Sequence, residues 1–507
     1  MKRRRFLTLA AASLAAPAAL TRRAVAAEPG APLPIPQVME VGPGAGNTLT
    51  AMKGTRAFID GAVSDTLGYG QDYLGPLLRF RRGRTANIDV VNRTDDPITG
   101  HWHGMHVPGY LDGGPQLAFD PGRTWSPELP VDHPAATLWY HSHVHGRTAD
   151  QVYRGLAGMI IIDDPDITDP LPRDYGANDF PLIVQDRSFD RSGRMTYDLG
   201  MMDRMQGFLG NEILVNGAIR PRLTVPAGLV RLRLLNASNA RIYDFAFADG
   251  RRFHQVASDG GLLAAPAAMD RLRLAPAERA EIVVDFTDRS AVRLVSRNAG
   301  SGGMMGGGGM MGGGGMMGGG GMMGGGGMMG GGDAASLDIM SFDVGDAAPT
   351  GPAVLPDTLP ADRPDLGTPV RTRDFTLNVH AGSMMGSMFN DAIGRDSQMM
   401  GINGNSFDMG RIDDQAVPLG ETELWRIGAD MMTHPFHVHG TSFQVVRMRG
   451  REVDPDRIGL KDVVLVEGPT EILVRFDKPA EKATPFMYHC HILEHEDAGM
   501  MGQFTVL

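Results

Sequence analysis

A single cysteine, Cys490, stands in 507 residues, so no disulfide can close within the chain and no cysteine-rich staple holds it together. Long apolar runs are missing beyond the N-terminus. No window of about 20 apolar residues occurs there, which argues against a chain that spans a membrane by helices. Positive charge is in deficit, with 48 Lys and Arg against 59 Asp and Glu and a net charge of −11, and this argues against a nucleic-acid partner. What is present is ample: 42% hydrophobic residues and enough length for about three units of roughly 150 residues, each with a core of its own. The lone thiol is then either buried filler or a ligand.

The N-terminus reads as an export signal over residues 1–27. Arg3-Arg4-Arg5-Phe6-Leu7 opens it, an apolar run from Leu9 to Leu20 follows, and Ala24-Val25-Ala26 offers a small-residue cleavage site. The arginine pair resembles a twin-arginine signal, which bacteria use for proteins exported already folded. A periplasmic location and no stable membrane association after export are expected. Loss of Lys2, Arg3, Arg4, Arg5, Arg22 and Arg23 takes the charge from −11 to about −17.

Short β-rich runs then recur. Ile88-Asp89-Val90-Val91-Asn92 alternates loosely, Gly158 to Asp163 is apolar, and Gly, Pro and Asp punctuate the intervals. Similar runs return at Phe180–Asp186, Leu229–Asn236, Ala280–Phe286 and Glu423–Ile427. The pattern predicts an all-β chain of three repeated β-sandwiches, at 40–168, 176–346 and 366–507, joined by Pro- and Asp-rich connectors. Within the second unit, residues 302–332 hold five Met-Met pairs separated by glycines. Glycine at that density predicts a flexible loop, either an expansion without function or a thioether-rich collector of cuprous ion.

The chemistry concentrates in histidine. Fifteen histidines in 507 residues would give roughly 0.4 His-x-His pairs by chance, yet five occur: His101/His103, His141/His143, His143/His145, His437/His439 and His489/His491. Residues i and i+2 of a strand project from one face, so two imidazoles per strand can converge on one locus. Four such strands supply eight histidines, enough for three metal ions. Cys490, between His489 and His491, must point the other way. His434, three residues before His437, can join it, and His495 and Met500 can fold back to complete a Cys, His, His and axial Met set of blue-copper type.

These motifs carry a resemblance. His101-Trp102-His103-Gly104, Trp139-Tyr140-His141-Ser142-His143, His434-Pro435-Phe436-His437-Val438-His439-Gly440 and His489-Cys490-His491 with His495 and Met500 look like the four copper-binding motifs of multicopper oxidases. The resemblance implies three cupredoxin-like Greek-key domains, the middle one without ligands, and four copper ions. His434, Cys490, His495 and Met500 would hold a type 1 copper, and His101 and His437 a type 2 copper. His103, His141, His143, His439, His489 and His491 would hold a type 3 pair. It also implies reduction of dioxygen to water, with Asp112 and Glu496 as candidates for proton delivery; either could instead be a turn carboxylate.

Asp430-Met431-Met432-Thr433-His434 resembles the copper-efflux cuprous oxidases within that family. A substrate copper is therefore expected at Asp430 and Met432, with Asp391 and Met384, Met385 or Met388. The expected activity is oxidation of cuprous to cupric ion by dioxygen in copper tolerance, by a monomer. Two alternatives stand beside it: a laccase-type oxidase of phenols, and a copper-sequestering protein that turns nothing over.

Overall fold

The computed structural model describes residues 30–44, 46–167, 169–297, 336–362, 364–380 and 399–507. The export signal and the Met-Gly tract lie outside the described residues, as do Asp391, Met384, Met385 and Met388. The described chain is built mostly of strands, in three pairs of facing sheets. None of its helices is long and apolar enough to cross a membrane.

In the first pair, a five-stranded sheet runs in the order Val38–Glu40, Leu77–Arg81, Ala157–Asp163, Ala136–His141, His101–His103, opposite a four-stranded sheet centred on Thr48–Ile59 and Asp89–Arg93. Leu49, Val90, Trp102, Leu138, Tyr140 and Ile160 close the space between them. The second pair sets the sheet of Asp179–Phe189, Leu229–Asn236 and Arg279–Asp285 against that of Val292–Ser296 and Leu337–Val344. The third sets Arg371–Val379, Thr422–Ala429 and Thr470–Arg475 against Met501–Val506, Phe486–Cys490, His434–Val438 and Val463–Val466. Alternating apolar residues give each sheet one face to bury, and burial of those faces is what makes each pair a sandwich.

The ligand-bearing strands depart from simple alternation. His101–His103, Ala136–His141, His434–Val438 and Phe486–Cys490 are buried at every position. One face of each looks into its own sandwich and the other looks across an interface between sandwiches. The pairing is matched in the first and third sandwiches: His101 lies opposite His141, and His437 opposite His489, in antiparallel register. A further apolar cluster joins all three, with Leu77, Trp139 and Ala149 from the first, Ile183, Leu214 and Leu235 from the second and Val463 and Leu493 from the third.

Candidate metal centre

Two buried groups of donors lie on opposite faces of the strand Phe486–Cys490. On the inner face, within the third sandwich, the Cys490 sulfur lies 3.5 Å from His434 Nδ1 and 3.7 Å from His495 Nδ1. His434 starts its strand, and His495 sits on the short helix Leu493–Asp497 that follows Cys490. Met500 is buried beside them; its N–H donates to the His495 carbonyl at 2.9 Å and its carbonyl accepts from the Cys490 N–H at 3.0 Å. On the outer face, His101, His103, His141 and His143 of the first sandwich meet His437, His439, His489 and His491 of the third. They gather in sets His101/His103/His437, His103/His141/His491 and His143/His439/His489, each with one ligand atom per residue within 4.8 Å of the others.

The second ring nitrogens show what these sites are for. His434 Nε2 lies 2.9 Å from the Met431 carbonyl, and His495 Nε2 lies 3.1 Å from that of Met205. In the outer group the Nδ1 atoms of His101, His141, His437 and His489 lie 2.8–3.0 Å from backbone carbonyls. His439 Nδ1 lies 2.7 Å from Asp112 Oδ2, and His103 Nε2 lies 3.1 Å from Asp462 Oδ1. A carbonyl or an ionised carboxylate only accepts, so each of these rings, with Asp112 ionised in the case of His439, carries its proton there and leaves its other nitrogen bare. The bare nitrogens face one another: His434 Nδ1 and His495 Nδ1 at 3.3 Å, His439 Nε2 and His489 Nε2 at 3.1 Å. His101 Nε2, His103 Nδ1, His141 Nε2 and His437 Nε2 have no hydrogen-bond partner at all. Buried lone pairs opposed at such distances are costly unless a cation lies between them. The donor set fits copper: a soft thiolate with imidazoles in one group, imidazoles alone in the other.

Electrostatics support the same reading. Burial holds His434 down at about 4 and His495 at about 3, so both stay neutral with lone pairs free. Burial pushes the Cys490 thiol up, so its ionisation needs a cation beside it.

Two aspartates brace the outer group in the same manner. The Asp112 carboxylate takes the His439 N–H and its carbonyl takes that of His101, two rings stacked at 4.1 Å. The Asp462 carboxylate takes the His103 N–H and its carbonyl takes that of His437, stacked at 3.8 Å. Asp112 was expected near the histidines from its place after His103. Asp462 was not; its only signal is an acid beside Lys461 at the start of the apolar run Val463–Val466. Also unforeseen is the share of the middle sandwich. It supplies no His or Cys ligand, but Arg279 forks onto Asp462 at 2.6 and 2.5 Å, and Met205 orients His495. Glu496 faces His143 Nδ1 at 3.4 Å and His489 Nδ1 at 3.2 Å.

Of the residues expected to hold a substrate copper, Asp430 and Met432 lie among the described residues: Asp430 is exposed and its carboxylate accepts from Asn378 Nδ2 at 2.5 Å, and Met432 is half-buried.

The fold and these sites define a mostly β, cupredoxin-like protein with buried clusters of metal-ligand side chains. Family models described as "Multicopper oxidase" match residues 51–167 and 373–507, and the chain belongs to the multicopper oxidase family. Among solved structures it is similar to a bacterial laccase-like multicopper oxidase CueO from Ochrobactrum sp., described as having oxidase activity towards lignin model compounds. The identity is 37%, the TM-score is 0.83, and 94% of this chain and 100% of that one are covered. It is also similar to the McoA multicopper oxidase of Aquifex aeolicus, at 29% identity and a TM-score of 0.77, covering 94% of this chain and 99% of that one. Curated relatives bear another name. Cell division protein FtsP of Escherichia coli (strain K12) is 35% identical over 512 residues, 100% of this chain and 99% of that protein. FtsP of Salmonella typhimurium is 36% identical over 510 residues, 99% and 98%.

Those relatives overturn the expectation of an oxidising enzyme. Proteins alike over the whole chain are named for cell division, a name that carries no catalytic activity. Physically, motifs of this kind specify donors that can hold a metal; they do not specify that electrons reach it from a substrate. Asp112 and Glu496, expected to deliver protons, are both set against imidazoles.

Proposed function

We propose that this protein is a copper-holding, non-catalytic member of its family that serves in cell division from the periplasm, reached through the export signal at residues 1–27. The observation that carries the proposal is the set of buried, bare imidazole nitrogens facing one another across both sites. In this reading Cys490, His434, His495 and Met500 hold one copper, and His101 and His437 hold a second. His103, His141 and His491, with His143, His439 and His489, hold a pair. Bound copper would bring redox-active charge into a water-excluded core and tie down strands from two sandwiches at once. The chain's own residues orient the rings: carbonyls and carboxylates hold the far N–H groups, and burial keeps the near nitrogens unprotonated. Ligands drawn from both ends of the chain support three domains at 40–168, 176–346 and 366–507, with the middle one bracing the other two.

The test is a measurement of copper per chain in protein purified from copper-supplied cells, together with oxygen uptake. The reading expects bound copper, a thiolate-to-copper visible band that Cys490→Ser abolishes, and no sustained oxygen uptake with cuprous ion or a phenol. Sustained uptake with either donor, or a chain that takes up no copper, would sink it. The division role is tested by deletion in the parent bacterium: filamentous or unseparated cells are expected, and normal division would count against it.

A further inference from the structure

Asp462 is where all three sandwiches meet. It lies in the bend between the strands Leu460–Lys461 and Val463–Val466 of the third, its carboxylate takes His103 Nε2–H of the first at 3.1 Å, and Arg279 of the second forks onto it at 2.6 and 2.5 Å. Arg279 and Asp462 are both wholly buried. The guanidinium is itself fixed from every side: it donates to the carbonyls of Thr137 at 3.1 Å, Ala277 at 3.1 Å and Asp259 at 3.1 Å, and the Arg279 N–H donates to Asp259 Oδ1 at 2.7 Å. Lys461, next to Asp462, bridges Asp259 and Glu278 at 2.9 Å each. The pair also presses on the strand it serves. A Cβ at Gly104, immediately after His103 and at φ +90°, would lie 2.5 Å from Asp462 Oδ2 and 2.8 Å from Arg279 Nη2.

We propose that Arg279 is a positioning residue for the histidine cluster. Acting through Asp462, it fixes the stacked rings of His103 and His437 so that His103 Nδ1 and His437 Nε2 face the metal. Only one oxygen of Asp462 meets His103, and both oxygens are held by Arg279, so the rotation of the carboxylate is set from the middle sandwich. A carboxylate free to turn could offer His103 no fixed acceptor. The ring could then carry its proton on Nδ1, the atom the cluster needs bare. A bidentate fork suits this work because it fixes a plane as well as a charge; an ammonium fixes only the charge. The proposal rests on the copper-holding reading above, and it gives the ligand-free middle unit a part in metal binding.

The experiment is a chelator competition on the copper-loaded full chain. It follows total copper per chain and, as an internal gauge, the visible thiolate band of the Cys490 site on the other face of the strand. Arg279→Met is expected to weaken cluster copper about ten- to a hundredfold while the thiolate band holds. Arg279→Lys should lie between Arg279→Met and wild type. Arg231→Met removes another buried arginine, one paired with Glu281 and Asp169, and should leave cluster affinity unchanged. Wild-type cluster affinity in Arg279→Met overturns the proposal. If that variant does not fold, Arg279→Lys decides, and cluster copper as tight as wild type there overturns it. Failure of both to fold, or equal losses in Arg231→Met, reduces Arg279 to a structural residue and overturns it as well. A wild-type chain with no cluster copper would instead defeat the copper-holding reading, a distinguishable result.

Discussion

Asp112 and Asp462 brace the histidine cluster with the same hydrogen bonds, but only one of them has a cation set against it. Each gives a carboxylate oxygen to one imidazole and a backbone carbonyl to the ring stacked on it. Asp112 does so with no cation beside it among the described residues: Oδ1 has no hydrogen-bond partner there, and burial pushes its carboxyl well above the usual carboxylate range. Asp462 is buried as deeply, but there burial raises the carboxyl while Arg279 pulls it down, and the balance leaves it at about 6. Hydrogen-bond geometry alone would make the two interchangeable. The countercharge makes one a fixed anchor and leaves the other dependent on whatever the cluster holds.

The most damaging way to break this contrast is Asp462→Asn, which strands Arg279 in the core. A loss of about 3 kcal/mol in the free energy of unfolding is expected, at the low end for a broken buried pair because Asp259 Oδ1 lies 3.7 Å from the guanidinium. Urea unfolding of the metal-free chain measures it. Copper itself should come next. At a free concentration a hundred times its dissociation constant it should stabilise the wild type by about 2.7 kcal/mol, and Asp462→Asn by clearly less. Thermal melts with copper and with chelator check this. Asp112→Asn should be mild, about 1 kcal/mol in the same urea experiment, since an amide oxygen can still accept from His439 and no cation is abandoned. The smallest effect sharpens the comparison most. In the metal-free double variant the two losses should add to within about 0.5 kcal/mol, because the aspartates hold different rings. Strong coupling without metal would show that the two braces are one network.

Much of the site was legible because the strand period fixes direction. His489 and His491 must leave one face of their strand and Cys490 the other, whatever the rest of the chain does. His434 lies on the cysteine side and His437 on the cluster side, as three-residue spacing requires, with Pro435 opposite Leu465 in unbroken register. The all-β class was equally plain in runs such as Leu229–Asn236, which is a strand over those same residues. The contribution of the middle sandwich was not legible. Arg279 and Met205 carry no motif, and a main-chain carbonyl such as that of Met205 has no side-chain signature. The activity was misread for a related reason, since a full set of donors describes what can be held and says nothing of what delivers electrons to it.

The sequence by itself determined the strand class, the donor chemistry and the face on which each donor lies, because these follow from side-chain type and a two-residue period. Only the tertiary structure decided which histidines share a set and which oxygen accepts from which ring N–H. It alone brought Arg279 to Asp462, 183 residues away in the chain. Those facts depend on how three sandwiches dock, and docking is set by buried surface summed over many residues, which no local pattern records.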